Sequence, residues 1–195
     1  MQLRGNQTLV IEVVPLGRVP EVDCEIAAAN LQALLEIPTL VTPPWPEPDY
    51  AFLPTRRQFD AGLILKFLSE SLPPTSIRLG VTTLDLCLPI LTYVYGEAWV
   101  GGRLAVLSLF RLSHYPGRAR VAQGLLYERL AKVALHEVTH ALGVEHCRVP
   151  GCLMKFSGIL EQLDSLTLSF CPACQQDLIQ HRERLLLSIA GHPPK

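Results

Sequence analysis

The stretch HEVTHALGVEHCRVPGC, residues 136–152, gathers three histidines, two acidic residues and two cysteines into seventeen positions. Imidazole and thiolate are the side chains zinc prefers, so the stretch reads first as metal chemistry. His136 and His140 stand four apart, a spacing that puts both side chains on one helix face. Two neutral imidazoles so placed can reach one zinc at about 2.0–2.1 Å. Glu137 lies about 100° farther round the helix. It is too far round to be a ligand beside them, yet near enough to reach a water on the metal. That is the position wanted of a general base in metal-assisted hydrolysis.

Zinc needs a third protein ligand, and His146 is the nearest candidate. On a continuing helix it would point away from the pair. Gly143 allows a sharp turn that folds the chain back, so the glycine is part of the ligand geometry. Cys147, directly after His146, is the alternative third ligand. Glu145 and Thr139 are expected to be solvated or packed.

Cys147 and Cys152 form a C-x4-C pair, and FCPAC adds Cys171 and Cys174 as a C-x2-C pair. Together they fit a closed tetrahedral site with thiolates at about 2.3 Å, which would be structural because no position stays open. It would staple residues 144–170 to the last helix, where the sequence offers few apolar contacts. A redox CxxC pair and a shared binuclear cluster are the competing readings. Neighbouring side chains on an extended segment project to opposite sides. This favours two separate metals, with His146 turned one way and Cys147 the other.

The elements that must carry these residues follow from periodicity and punctuation. TLVIEVVPL, residues 8–16, is β-branched and partly alternating, so it reads as a strand, and Glu12 within it argues against a signal peptide. Residues 22–36 have helical spacing, with Pro38 just beyond them. Residues 39–54, TLVTPPWPEPDYAFLP, begin as a short strand and become a proline-rich connection. The pattern then predicts a helix from Arg56 to Leu72 and a strand over 76–89. Two further strands are expected at Tyr93–Trp99 and Leu104–Leu112, joined through Gly101-Gly102. A core helix runs from about Arg120 to Gly143, with Leu125, Leu126, Leu130, Val133, Ala134 and Leu142 on one apolar stripe. An irregular stretch, 144–170, precedes a last helix at about Cys174–Ile189. The order predicts an α/β (α+β) fold with a sheet of about five strands.

The chain has 195 residues, 49% of them apolar, which suffices for one domain with a real core. It divides into an upper part, 1–143, and a lower zinc-stapled part, 144–195. Seventeen basic and eighteen acidic residues nearly cancel, so there is no footprint for nucleic acid. No uncharged apolar run reaches the roughly 18 residues of a membrane span. A soluble, cytoplasmic, monomeric protein is expected. There the six cysteines would not form a disulfide framework, and Cys24 and Cys87 read as buried hydrophobes. His114, His181 and His192 read as surface or packing residues, although His114 or Tyr115 could line a cleft. Lys155 reads as a solvated charge.

HEVTHALGVEH resembles HExxHxxGxxH, the extended zinc signature of the metzincin metallopeptidases. Met154, in CLM, is similar to the methionine of their Met-turn, which forms a floor under the metal. The four cysteines and their spacing resemble the archaemetzincin branch. The motif match covers residues 136–174, and the first hundred residues agree only in layout.

The resemblance implies a minimal metzincin: a twisted mixed sheet with two helices, an active-site helix and a small C-terminal lobe ending in a helix. It implies two zinc ions per chain. One, catalytic, is held by His136, His140 and His146 with Glu137 as base. The other, structural, is held by Cys147, Cys152, Cys171 and Cys174. An edge strand, placed at Gly96–Leu104, would bind an extended peptide or protein substrate by main-chain pairing. The implied activity is that of a zinc metallopeptidase with an aminopeptidase-like taste for small peptides. The alternative is a zinc-stabilised binding module whose catalytic site is idle or latent. In one respect the chain departs from many metzincins, because it has no tyrosine after Tyr127 to steady the reacting oxyanion.

Overall fold

The computed structural model describes residues 8–114 and 119–191. Tyr115 and His192 lie outside the described residues. In chain order the elements begin β1 (Val10–Pro15), α1 (Glu21–Leu35), β2 (Thr39–Val41), β3 (Phe52–Leu53), β4 (Gln58–Asp60) and α2 (Ala61–Leu68). They continue with β5 (Ser76–Thr82), β6 (Leu86–Leu88), β7 (Leu91–Val94), β8 (Gly96–Trp99), β9 (Leu104–Ser108) and α3 (Leu109–Leu112). The last three are α4 (Gln123–Leu142), α5 (Leu160–Ser165) and α6 (Pro172–Ile189).

Five strands form the main sheet in the order β2-β1-β5-β9-β8. The first four run parallel, and β8 closes the edge antiparallel to β9. A parallel strand covered on both faces has no solvent side to alternate with. Accordingly every residue of β5 and β9 is buried. Glu12, the charge inside β1, stands opposite Arg78 on β5, and the two carry an ion pair at 2.9 Å. Ala105 and Leu107 of β9 face the larger core, which contains α1 and α4. Leu104 and Val106 face the smaller core, built on α2. A second sheet, β3-β4-β6-β7, covers the α2 side.

Four elements differ from the sequence-based expectations. The helix predicted from Arg56 to Leu72 occupies only Ala61–Leu68, because Gln58–Asp60 is a strand. The Asp60 carboxylate then caps the helix, accepting the Gly62 and Leu63 amides at 2.8 and 3.2 Å. The strand predicted over 76–89 breaks into β5 and β6. Asp85, in the break, binds Arg111 at 2.6 and 2.8 Å. The strand predicted at Tyr93–Trp99 is likewise split between the two sheets. The strand predicted at Leu104–Leu112 stops at Ser108, whose hydroxyl accepts the Phe110 amide and starts α3.

The stretch read as irregular, 144–170, contains α5. It is also richer in apolar contacts than its sequence suggested. Leu153, Met154, Leu160, Leu163 and Leu166 are all buried in the larger core. Leucines with helical spacing were hidden there by the polar residues between them. No helix among the described residues is long and apolar enough to cross a membrane.

Candidate active site and metal centres

α4 is a twenty-residue helix, buried through most of its second half, and it carries His136, Glu137 and His140. It ends at Gly143, where φ is +118°. A side chain there would be strained by the backbone, and its Cβ would lie 2.5 Å from His181 Nδ1 on α6. Both constraints demand glycine. Residues of the β8–β9 turn take up carbonyls at this helix end: Gly101 donates to His140 at 2.9 Å and Arg103 to Ala141 at 3.0 Å. The edge of the sheet and the histidine helix are thus joined by main-chain bonds.

Beyond the glycine the chain folds back and brings His146 to the pair. The Nε2 atoms of His136 and His140 are 3.0 Å apart, and those of His136 and His146 are 3.3 Å apart. Two nitrogens bound tetrahedrally to one zinc at about 2.0–2.1 Å would lie roughly 3.3–3.4 Å apart. The remaining ring nitrogens fix the tautomers. His136 Nδ1 donates to the Leu153 carbonyl at 2.8 Å, and His140 Nδ1 donates to the Val144 carbonyl at 2.6 Å. In neutral rings their Nε2 atoms then present lone pairs to one another. Burial favours the neutral form: it drives His136 down to about 3, with His140 as the second cause, and it also lowers His140 and His146. Facing lone pairs at this distance repel unless a cation lies between them, so the trio fits a zinc ion.

Glu137 is buried beside the trio. Its side chain presses on the edge strand: a Cβ added to Gly96 would meet Glu137 Cγ at 2.6 Å and Oε1 at 2.8 Å. Gly96 supplies room here, not an unusual φ. Burial raises the Glu137 carboxyl well above its ordinary value, with the nearby Glu97 as a second cause. A carboxyl raised in this way is suited to hold a proton near neutral pH.

A cleft of about 680 Å³ opens in front of these groups. Residues of β7 and β8, the His136–His140 face of α4, and Leu153, Phe156, Ser157 and Gly158 line it. The Tyr93 hydroxyl joins two of these segments by donating to the Gly158 carbonyl at 3.0 Å. Phe156, 61% exposed, stands edge-on to His146, with ring centroids 5.4 Å apart.

The four cysteines form a second cluster, all Sγ atoms lying within 4.8 Å of one another. Cys147 and Cys171 Sγ are 3.7 Å apart, against roughly 3.8 Å for two thiolates held tetrahedrally at about 2.3 Å. Backbone amides point at the sulfurs: Val149 donates to Cys147 Sγ at 3.3 Å and Cys171 to Cys152 Sγ at 3.4 Å. Cys171 is the N-cap residue of α6, and the neighbouring Cys174 amide is the main cause that lowers its thiol to about 7. The donor set fits a closed zinc site.

The structure therefore groups His146 with the histidines and Cys147 with the cysteines. Met154 is fully buried in the turn between the clusters, and its carbonyl accepts the Cys147 amide at 2.8 Å. Glu145 is exposed and lines the cleft, whereas Thr139 is buried and its hydroxyl has no partner among the described residues. His181 packs on Gly143, and Lys155 is exposed. His114 bonds Ser113 at 2.9 Å and is not among the cleft residues. Cys24 and Cys87 are buried free thiols.

Sequence reasoning missed Tyr93, Tyr95 and Lys132, which also line the cleft, and named Gly96 only as the start of the edge strand. The alternation of Tyr93 and Tyr95 on a strand before a glycine was the one available signal. Nothing linear connects Gly96 to Glu137.

Residues 67–180 match the pattern of Peptidase family M54. The archaemetzincin of Archaeoglobus fulgidus is 36% identical over 151 residues, covering 77% of this chain and 87% of that protein. The crystal structure of Methanopyrus kandleri archaemetzincin superposes with a TM-score of 0.78 at 28% identity, covering 94% of this chain and 100% of that one. A zinc-dependent peptidase from Methanocorpusculum labreanum also gives 0.78, at 27% identity, covering 86% of this chain and 99% of that one. With the two metal-fitting clusters inside the matched segment, the chain belongs to the archaemetzincins, the zinc metallopeptidases of family M54.

Proposed function

We propose that this chain hydrolyses peptide bonds with a zinc held by His136, His140 and His146, and that Cys147, Cys152, Cys171 and Cys174 hold a second, structural zinc. The observation that carries this reading is the convergence of three neutral Nε2 atoms beside a buried carboxyl at an open cleft. When bound, the first zinc supplies Lewis-acid activation of water and of the substrate carbonyl. Glu137 takes the proton released as the water attacks, then delivers it to the leaving amine. Burial and the press of Gly96 hold its carboxyl in one place for both transfers. The buried Met154 forms the floor of the site.

The substrate lies extended along β8, which is a free edge of the main sheet. Tyr95 bonds inward, its carbonyl accepting the Ser108 amide at 2.8 Å. By alternation the main-chain groups of Gly96 and Ala98 face outward, toward the substrate. The bond between Tyr93 and Gly158 bounds the cleft, which supports short peptides and aminopeptidase-like trimming. The setting proposed is reducing and cytoplasmic, where Cys24 and Cys87 stay buried thiols and the other four cysteines serve as metal ligands.

The test is a peptide-library digest read by mass spectrometry, comparing the native protein with Glu137→Ala. The variant is expected to keep two zinc ions per chain and to lose hydrolysis. Undiminished cleavage by the variant overturns the mechanism.

A further inference from the structure

Lys132 is the cation among the described cleft residues, and the mechanism above does not use it. It lies one helical turn before His136 on α4, so its side chain shares the face that carries the first ligand. The side chain is 1% exposed. Val133, Leu153, Leu163 and Leu166 line the same cavity, as do the carboxyl-bearing Glu97, Glu137 and Glu145.

An ammonium carries three hydrogens and accepts none. One goes to Glu128 Oε1 at 2.6 Å and one to the Asp164 carbonyl at 3.0 Å. The Asp164 carboxylate is turned to Arg129, which holds it with two bonds of 2.7 Å. Glu128 is 48% exposed. Among the described residues the one carboxylate paired with this buried cation is that of Glu128, half open to water and one turn back on the same helix. The third hydrogen has no partner among the described residues.

We propose that the recess beside Lys132 receives the side chain of a residue flanking the cleaved bond, and that its ammonium selects a carboxylate there. This rests on the peptidase reading. A glutamyl side chain brings apolar carbons to the leucine walls and an acceptor to the third hydrogen, forming a charge-assisted bond away from water. A glutamine of the same shape brings only a neutral acceptor. A leucine fills the volume and leaves the donor unpaired, which a buried polar group penalises.

The experiment uses the zinc-loaded protein and peptides identical except for Glu, Gln or Leu at each of the two positions flanking the cleaved bond. At one position kcat/KM for Glu is expected to exceed that for Gln by about tenfold or more. Lys132→Met should erase that ratio and favour Leu, and Lys132→Arg should restore a preference for Glu. A ratio unchanged in Lys132→Met, or an equal loss on all three peptides, overturns the proposal. A second arm measures binding of peptide hydroxamates bearing glutamyl or glutaminyl side chains, which requires no turnover. A glutamyl preference in binding without any peptide cleavage retains the recess and overturns the peptidase reading. Cleavage without preference at either position overturns the recess alone.

Discussion

The histidine and cysteine clusters share one short segment but solve opposite problems. The cysteine cluster offers four donors, closes on itself and draws amides toward its sulfurs. The histidine cluster offers three donors, and its third member, His146, is exposed at the cleft. Its other two members are aimed from outside the cluster, by the carbonyls of Leu153 and Val144. Leu153 lies next to Cys152, and His146 lies next to Cys147. A closed centre can position itself through its own ligands. An open one must borrow rigidity, and here two of its three histidines borrow it from the segment the cysteines hold.

The sharpest way to break this comparison is Cys171→Ser. It is expected to release the cysteine-bound metal and to weaken zinc at the histidines by about 10–100-fold. Chelator competition reads both effects, and an unchanged histidine site would show that the centres are independent. Gly96→Ala should touch only the open centre. Displacing Glu137 by about an ångström is expected to lower kcat about 100-fold while both metals stay bound. Metal content and steady-state kinetics on one preparation test that separation.

Gly143→Ala acts on the hinge between the clusters. Backbone strain at φ +118° and the contact with His181 are expected to cost about 1–3 kcal/mol, read as a lower Tm. Acid should distinguish the centres more gently. His136 has a folded value of about 3, below the ordinary 6.5. The unfolded chain therefore binds more protons in that window, and metal-free protein loses stability as pH falls from 6.5 toward 3. Glu137 is raised, so its contribution is present at low pH and lost as pH rises through its folded value. Removing this opposing slope in Glu137→Gln should steepen the acid loss, as Tm against pH would show.

Legibility followed the range of the physics. His136 and His140 were readable because helix periodicity is local, and Gly143 because a sharp turn restricts which residue can make it. The split of His146 from Cys147 needed only the alternation of an extended segment. Arg56–Leu72 misled because Asp60 could cap a helix in mid-pattern, and the break at Asp85 depends on Arg111, far along the chain. The leucines of 153–166 became core only once α5 packed on α4.

The sequence by itself determined which donor atoms gather into the two clusters, since ligand chemistry resides in side-chain identity and near spacing. Only the tertiary structure decided how those atoms are aimed. The anchors of His136 and His140 are main-chain carbonyls, which carry no residue signature. The room for Glu137 is a missing Cβ on another element, and the charge of Lys132 acquires a role from the recess around it. Apart from the Val144 carbonyl, four residues from His140, each of these is a contact between segments distant in the chain, and contacts of that kind exist only after the sheet and helices have packed.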